Sequence, residues 1–222
     1  MNQLMFIQEA ISIAASLMLL ISFALLAQHR LLSVLHWFSA QGIVLAITTL
    51  LVALISDHDE LYFSAAMTLL LKGALLPWLL WRIIMKMHIH REVEPMVNMP
   101  VTMMIALGLV LVSFHIALPI EAISDLATHN TLAIATATVF LGMLMMITRK
   151  KAVTQVIGFL SIENALFFTA IGATHGMPMI VEIGVAFDVL IAAIIFGLFF
   201  TQMRSTFDSL DIEEIEAKAK RR

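Results

Sequence analysis

A chain of 222 residues that is 61% hydrophobic and 13% charged lies far above the roughly 45–50% apolar share of a soluble domain and reads as an integral membrane protein. Its net charge is −3, and its basic residues sit at loop positions without an aromatic-rich polar surface, which excludes a nucleic-acid footprint. Cysteine is absent, which excludes thiolate iron–sulfur, nickel or zinc ligation and disulfides, so any metal-centred electron chemistry belongs to partner chains.

Apolar runs near the roughly 20-residue length that crosses a bilayer recur along the chain. They predict an all-α bundle of seven transmembrane helices over 5–27, 31–56, 61–85, 97–119, 131–148, 152–174 and 178–203. These spans form one membrane domain over 1–204, followed by a tail over 205–222. The first run follows no basic residue and carries Glu9, unlike a cleavable signal, and is expected to be kept as a helix.

Charge placement then orients the bundle. Arg30, the group Arg82, Lys86 and Arg91, the turn Arg149–Lys151, and Arg204 with Lys218, Lys220, Arg221 and Arg222 fall in alternate loops. The opposite loops hold Asp57, Asp59, Glu60, Glu121 and Asp125 and no lysine or arginine. The positive-inside rule therefore predicts an external N-terminus and a cytoplasmic C-terminus. Of the 13 basic residues, Lys72 alone departs from this pattern.

Lys72 falls about 11 residues, or roughly 16 Å of helix, into the third span. An ammonium at that depth needs a carboxylate or an opened backbone. Pro77 offers the second, since its ring excludes the normal helical bond to the carbonyl of Gly73, beside Lys72. The second span carries His36, Ser39 and Gln41, and the fourth carries His115 with Pro119 one turn later. For the two histidines, hydrogen-bonded packing and a proton relay are both open readings. His88 and His90 border Arg91 with no third ligand nearby and read as a solvated loop.

The last two spans are the most specific. Glu163 in the sixth and Asp188 in the seventh lie near the midplane by residue count, at the depth of Gln41 and Lys72, while Glu182 sits one turn from the outer end. Buried membrane carboxylates require a polar partner, a water-filled cavity or a role in transport. Glu163, Asp188, Lys72 and Glu182 are therefore candidates for proton translocation, with Gln41, Asn164, His36 and His115 as supporting polar groups and no metal site. Structural ion pairing with Lys72 or with a neighbouring subunit is the alternative for the acids. A faint echo relates Arg30–Ser33 and Ser39–Gly42 to Lys151–Thr154 and Ser161–Asn164. In the tail, Leu210, Ile212 and Ile215 among acids suit docking on a partner or lying at the interface, as well as a frayed solvated end.

The blocks Ile162-Glu163-Asn164 and Val181–Asp188, Lys72 followed by Pro77, Gln41, and Leu210-Asp211-Ile212 resemble hydrogenase-4 component E, a membrane subunit of hydrogenase-4 and formate hydrogenlyase-type complexes. Spans five to seven also resemble the K subunit of respiratory complex I. There Asp188 matches the third-helix glutamate, and Glu163 stands three residues beyond the second-helix one, nearly one turn away. The resemblance implies a noncatalytic subunit without its own cofactor, in the inner membrane of a prokaryote. It implies antiporter-like large membrane subunits, a membrane anchor subunit and a cytoplasmic hydrogenase arm as partners, with iron–sulfur and nickel–iron centres held by that arm. The rival expectations are a stand-alone secondary ion transporter and a purely structural scaffold.

Overall fold

The computed structural model describes residues 2–55, 60–86, 96–121 and 131–174, with positions 184, 190, 191 and 194. Among these the chain is all-helical. Helix α1 is Asn2–Ala27, α2 Leu31–Ile55 and α3 Glu60–Thr68; a π-helical segment, Leu69–Leu75, joins α3 to α4, Leu76–Lys86. Then come α5, Met99–Glu121, α6, Thr131–Thr148, and α7, Ala152–Thr174. With α3, the π segment and α4 counted as one rod, six helices are long and apolar enough to cross a membrane. The seventh expected span, 178–203, lies outside the described residues apart from the four single positions, as does the tail.

Apart from α4, which is strongly one-sided, these helices show almost no amphipathic asymmetry, because both a lipid-facing and a protein-facing side of a membrane helix are apolar. Position in the bundle follows from contacts instead. The three-residue links 28–30 and 149–151 make α1 with α2 and α6 with α7 close neighbours. Helix α2 packs on α1, α3, the π segment and α7, and α6 packs on α7, α5 and α1. An apolar cluster including Met18, Leu45, Leu61, Ile134, Phe167 and Phe168 joins five of the helices. Helix α5 stands at the margin, with Met104, Leu107 and Leu111 exposed. The chain divides into two compact units, Met1–Val185 and Ala186–Arg222, and all of these helices belong to the first.

Two close crossings depend on glycine. A Cβ on Gly142 would lie 2.9 Å from the Gly158 carbonyl oxygen, and one on Gly158 would lie 3.1 Å from the Gly142 carbonyl oxygen. Small residues let α6 and α7 approach backbone to backbone, the usual source of packing energy where lipid removes the hydrophobic drive. At the second crossing, a Cβ on Gly42 of α2 would lie 2.8 Å from both the carbonyl carbon and oxygen of Lys72. That contact presses α2 onto the π segment and fixes the depth of Lys72.

Arg149 has a role that its place in the loop between α6 and α7 does not disclose. It is buried, at 1% exposure, and its guanidinium donates to the carbonyls of Leu26 and Gln28, the latter at 3.1 Å. The physical reason is that α1 ends with carbonyls that have no helical donor, and one guanidinium nitrogen, Nη2, with two N–H groups, reaches both. Burial pushes this guanidinium below its ordinary value, although an arginine stays charged at physiological pH. The neighbouring Lys150 is exposed, as a loop lysine should be.

Gly42→Ala is expected to destabilise the detergent-solubilised protein by about 1–3 kcal/mol, the usual cost of overpacking. Gly108→Ala, where a Cβ meets nothing within 4 Å, should be neutral or stabilising by up to about 1 kcal/mol. Thermal unfolding of the two variants side by side checks both.

Candidate functional site

The site is built where α2, the π segment and α7 meet. Lys72, fully buried, donates from Nζ to Oε1 of Glu163 at 2.5 Å. The two residues are 91 positions apart, so the pair is tertiary and ties the third rod to α7. Lys72 Nζ also lies 4.9 Å from the centroid of the Phe167 ring, within cation–π range. Phe167 is one helical turn beyond Glu163, so one face of α7 presents both the carboxylate and the aromatic cover.

The π segment places the lysine. Leu76 N–H bonds the carbonyl of Leu71, five residues back, which widens the turn that carries Lys72. Pro77, with no N–H, deprives Gly73 of its ordinary α-helical donor. Ser39 of α2 supplies one: its hydroxyl donates to Gly73 O at 2.5 Å. The expected backbone opening therefore exists and is filled by α2, while the lysine itself turns to the carboxylate. π turns recur at functional sites.

A second polar group adjoins this pair. Gln41, with 0% exposure, donates from Nε2 to Ser22 Oγ and to Ser161 Oγ, each at 3.0 Å, and accepts from Asn164 Nδ2 at 3.2 Å. Ser22 in turn donates to Met18 O at 2.8 Å. Three helices, α1, α2 and α7, thus share one hydrogen-bonded amide. Asn164 follows Glu163 directly, which links the amide group to the ion pair through α7.

Of the predicted residues, the structure brings Lys72, Glu163, Gln41 and Asn164 together. His36 is exposed and bonds the carbonyl of Leu32 in its own helix at 2.6 Å. His115 is exposed on α5. Neither joins the cluster. Asp188 and Glu182 lie outside the described residues, as do His88 and His90. Sequence reasoning passes over Ser22, an isolated hydroxyl in an apolar run, and Phe167, whose spacing of four from Glu163 is the available signal. It also passes over Gly184: a Cβ there would collide with Cε2 of Phe167, so the glycine leaves room for the ring that covers Lys72. Among the described residues no group of three or more histidines or acids is arranged to hold a metal ion.

Comparison with known proteins now bears on the chain. It is 32% identical over 207 residues to the uncharacterized protein Rv0085 of Mycobacterium tuberculosis, covering 92% of this chain and 94% of the relative. The chain belongs to that protein's family. It is also 25% identical over 114 residues to hydrogenase-4 component E of Escherichia coli K12, covering 51% of this chain and 53% of that protein, and equally to the Shigella flexneri protein of the same name. The alignment thus spans about half the length of the hydrogenase-4 relatives. No protein-family model matches the chain, and no solved structure does.

Lys72→Met alone leaves a carboxylate buried against an apolar end and is expected to cost about 3–5 kcal/mol. Lys72→Met with Glu163→Gln removes both charges and should recover most of that loss. Thermal stability of the two single variants and the double variant measures the coupling.

Proposed function

We propose that this chain is a noncatalytic membrane subunit of a hydrogenase-4-like, complex I-related oxidoreductase complex, in which the Lys72–Glu163 pair takes part in proton translocation coupled to electron transfer. The observation that carries the reading is this ion pair, closed at 2.5 Å inside helices apolar enough to cross a membrane. The partial similarity to hydrogenase-4 component E supports the complex. In this reading the partners are antiporter-like large membrane subunits, a membrane anchor subunit and a cytoplasmic arm that holds the iron–sulfur and nickel–iron centres.

The chemistry follows from the low dielectric of the site. A buried carboxylate is kept ionised by an ammonium beside it; when the ammonium withdraws, the lone anion becomes costly and takes up a proton. A displacement of Lys72 thereby becomes a change in protonation of Glu163, and its return expels the proton. The Gln41 group holds α7 in register during that exchange, because its bonds run to α1, α2 and α7 together. Asp188 and Glu182 enter as further proton stations on their place in the last apolar run and on the family resemblance. A seventh span, the external N-terminus and the inner membrane of a prokaryote complete the proposal.

One observation favours a second reading. The pair is fully assembled and tied to neighbouring helices, as a purely structural scaffold would also require. The two readings part on function. In membrane vesicles holding the whole complex, Glu163→Gln is expected to leave electron transfer measurable and reduce proton pumping by at least about tenfold. Pumping at the unaltered rate in an assembled Glu163→Gln complex would leave only the scaffold.

A further inference from the structure

Several of the described serines and threonines inside the apolar helices satisfy their hydroxyls on their own backbone. Ser22, Thr48, Thr49, Ser113 and Thr138 each donate to the carbonyl four residues earlier, at 2.8–3.0 Å. Ser64 and Thr68 depart from this pattern, as Thr131 at the start of α6 also does. Ser64 and Thr68 of α3 are buried at 1% and 0% exposure, and neither hydroxyl has a hydrogen-bond partner among the described residues. Both have a carbonyl four residues back, at Glu60 and Ser64, and do not use it. A buried hydroxyl without a partner costs about 1–3 kcal/mol, and the usual remedy is an internal water with several polar neighbours.

Their placement is ordered. Ser64, Thr68 and Lys72 follow one another at intervals of four along one rod, so they lie on one face. Between Ser64 and Thr68, four residues of α-helix rise about 6 Å, while the step from Thr68 to Lys72 runs through the π segment. The α-helical spacing suits one water between Ser64 and Thr68, since two hydrogen bonds of about 2.8 Å in series span it. The line ends at the ammonium that holds Glu163, and at the other end only the turn 60–63 separates Ser64 from the start of α3.

We propose that Ser64 and Thr68 seat a short file of water molecules that connects the Lys72–Glu163 pair to the membrane face where α3 begins, and that this file is the proton route to Glu163. The proposal rests on the proton-handling reading of the pair. Along such a file each oxygen accepts one proton and releases another, so one O–H bond forms for each that breaks. The net result is a neutral Glu163 carboxyl and a Lys72 ammonium released from the carboxylate, with one proton removed from the solution at the α3 end. Water is also the ligand these groups select: a hydroxyl both donates and accepts, whereas a fixed cation site needs several oxygens converging on one point.

The test uses the absence of cysteine from the chain. Ser64→Cys and Thr68→Cys in the membrane-bound complex should react with a small water-soluble methanethiosulfonate at least about tenfold faster than Ala65→Cys, because thiolate chemistry requires water. Ala65 is also buried, at 6%, and stands off the line, about 60° round the helix from Thr68 and about 100° from Ser64. Labelling read by mass spectrometry of this chain at equal rates for all three positions would overturn the water file. The companion measurement is proton uptake by vesicles carrying Thr68→Val, which keeps the side-chain shape without the hydroxyl, and Thr68→Ser, which restores it. Uptake on the order of tenfold slower in the valine variant, recovered in the serine variant, is expected from lost hydrogen bonding along the file. Unaltered uptake with Thr68→Val, in a complex where Glu163→Gln stops uptake, would overturn this route alone. If Glu163→Gln also leaves uptake unaltered, the proton reading of the pair fails, while the labelling result still decides whether water stands beside Ser64 and Thr68.

Discussion

Lys72 and Glu163 constrain each other inside an apolar bundle. Neither charge is tolerable there alone: an uncompensated ion in the interior of a protein costs several kcal/mol, and a bilayer offers no water to relieve it. Their attraction across 2.5 Å therefore sets the depth of two helices relative to each other. The tie is specific but conditional. It holds only while the ammonium stays in place, and the same desolvation that makes it strong makes the separated charges expensive. A pair of this kind can hold a structure together or act as a store of work, and what decides between them is whether something can move the lysine.

The backbone around Lys72 is arranged for fixed placement. A π-helical turn, a proline one turn later and a glycine contact with α2 converge within a few residues. Each has a separate physical cause. The proline removes a donor, Ser39 replaces it from another helix, and Gly42 allows the approach that makes the replacement possible. Phe167 closes the site from α7, and Gly184 makes room for its ring. The polar amide group around Gln41 then ties α1, α2 and α7 together.

Much of this is legible in the residues because it is local. A lysine in an apolar run stands out by composition, and a proline acts on a carbonyl at a fixed distance along its own helix, so the opening at Gly73 follows from residue order alone. Apolar runs likewise mark the six helices. Partner choice is not legible: the pairing of Lys72 with Glu163 depends on the packing of chain segments 91 residues apart. The π turn is hidden for the same reason, since its register depends on α2. Arg149 resembles a side marker because its neighbours are lysines, yet the end of α1 needs its guanidinium. His36 and His115 look suited to a relay, but helices that are apolar all round do not disclose which face turns inward.

The central claim, that Glu163 changes protonation as Lys72 moves, is tested most directly by infrared difference spectroscopy of the intact complex during turnover. The account predicts a carboxylic-acid carbonyl band that appears with turnover, shifts in deuterium oxide, and is missing from Glu163→Gln. Difference spectra that are the same in the native complex and in an assembled Glu163→Gln complex would contradict it, and would leave the pair as a fixed tie between helices.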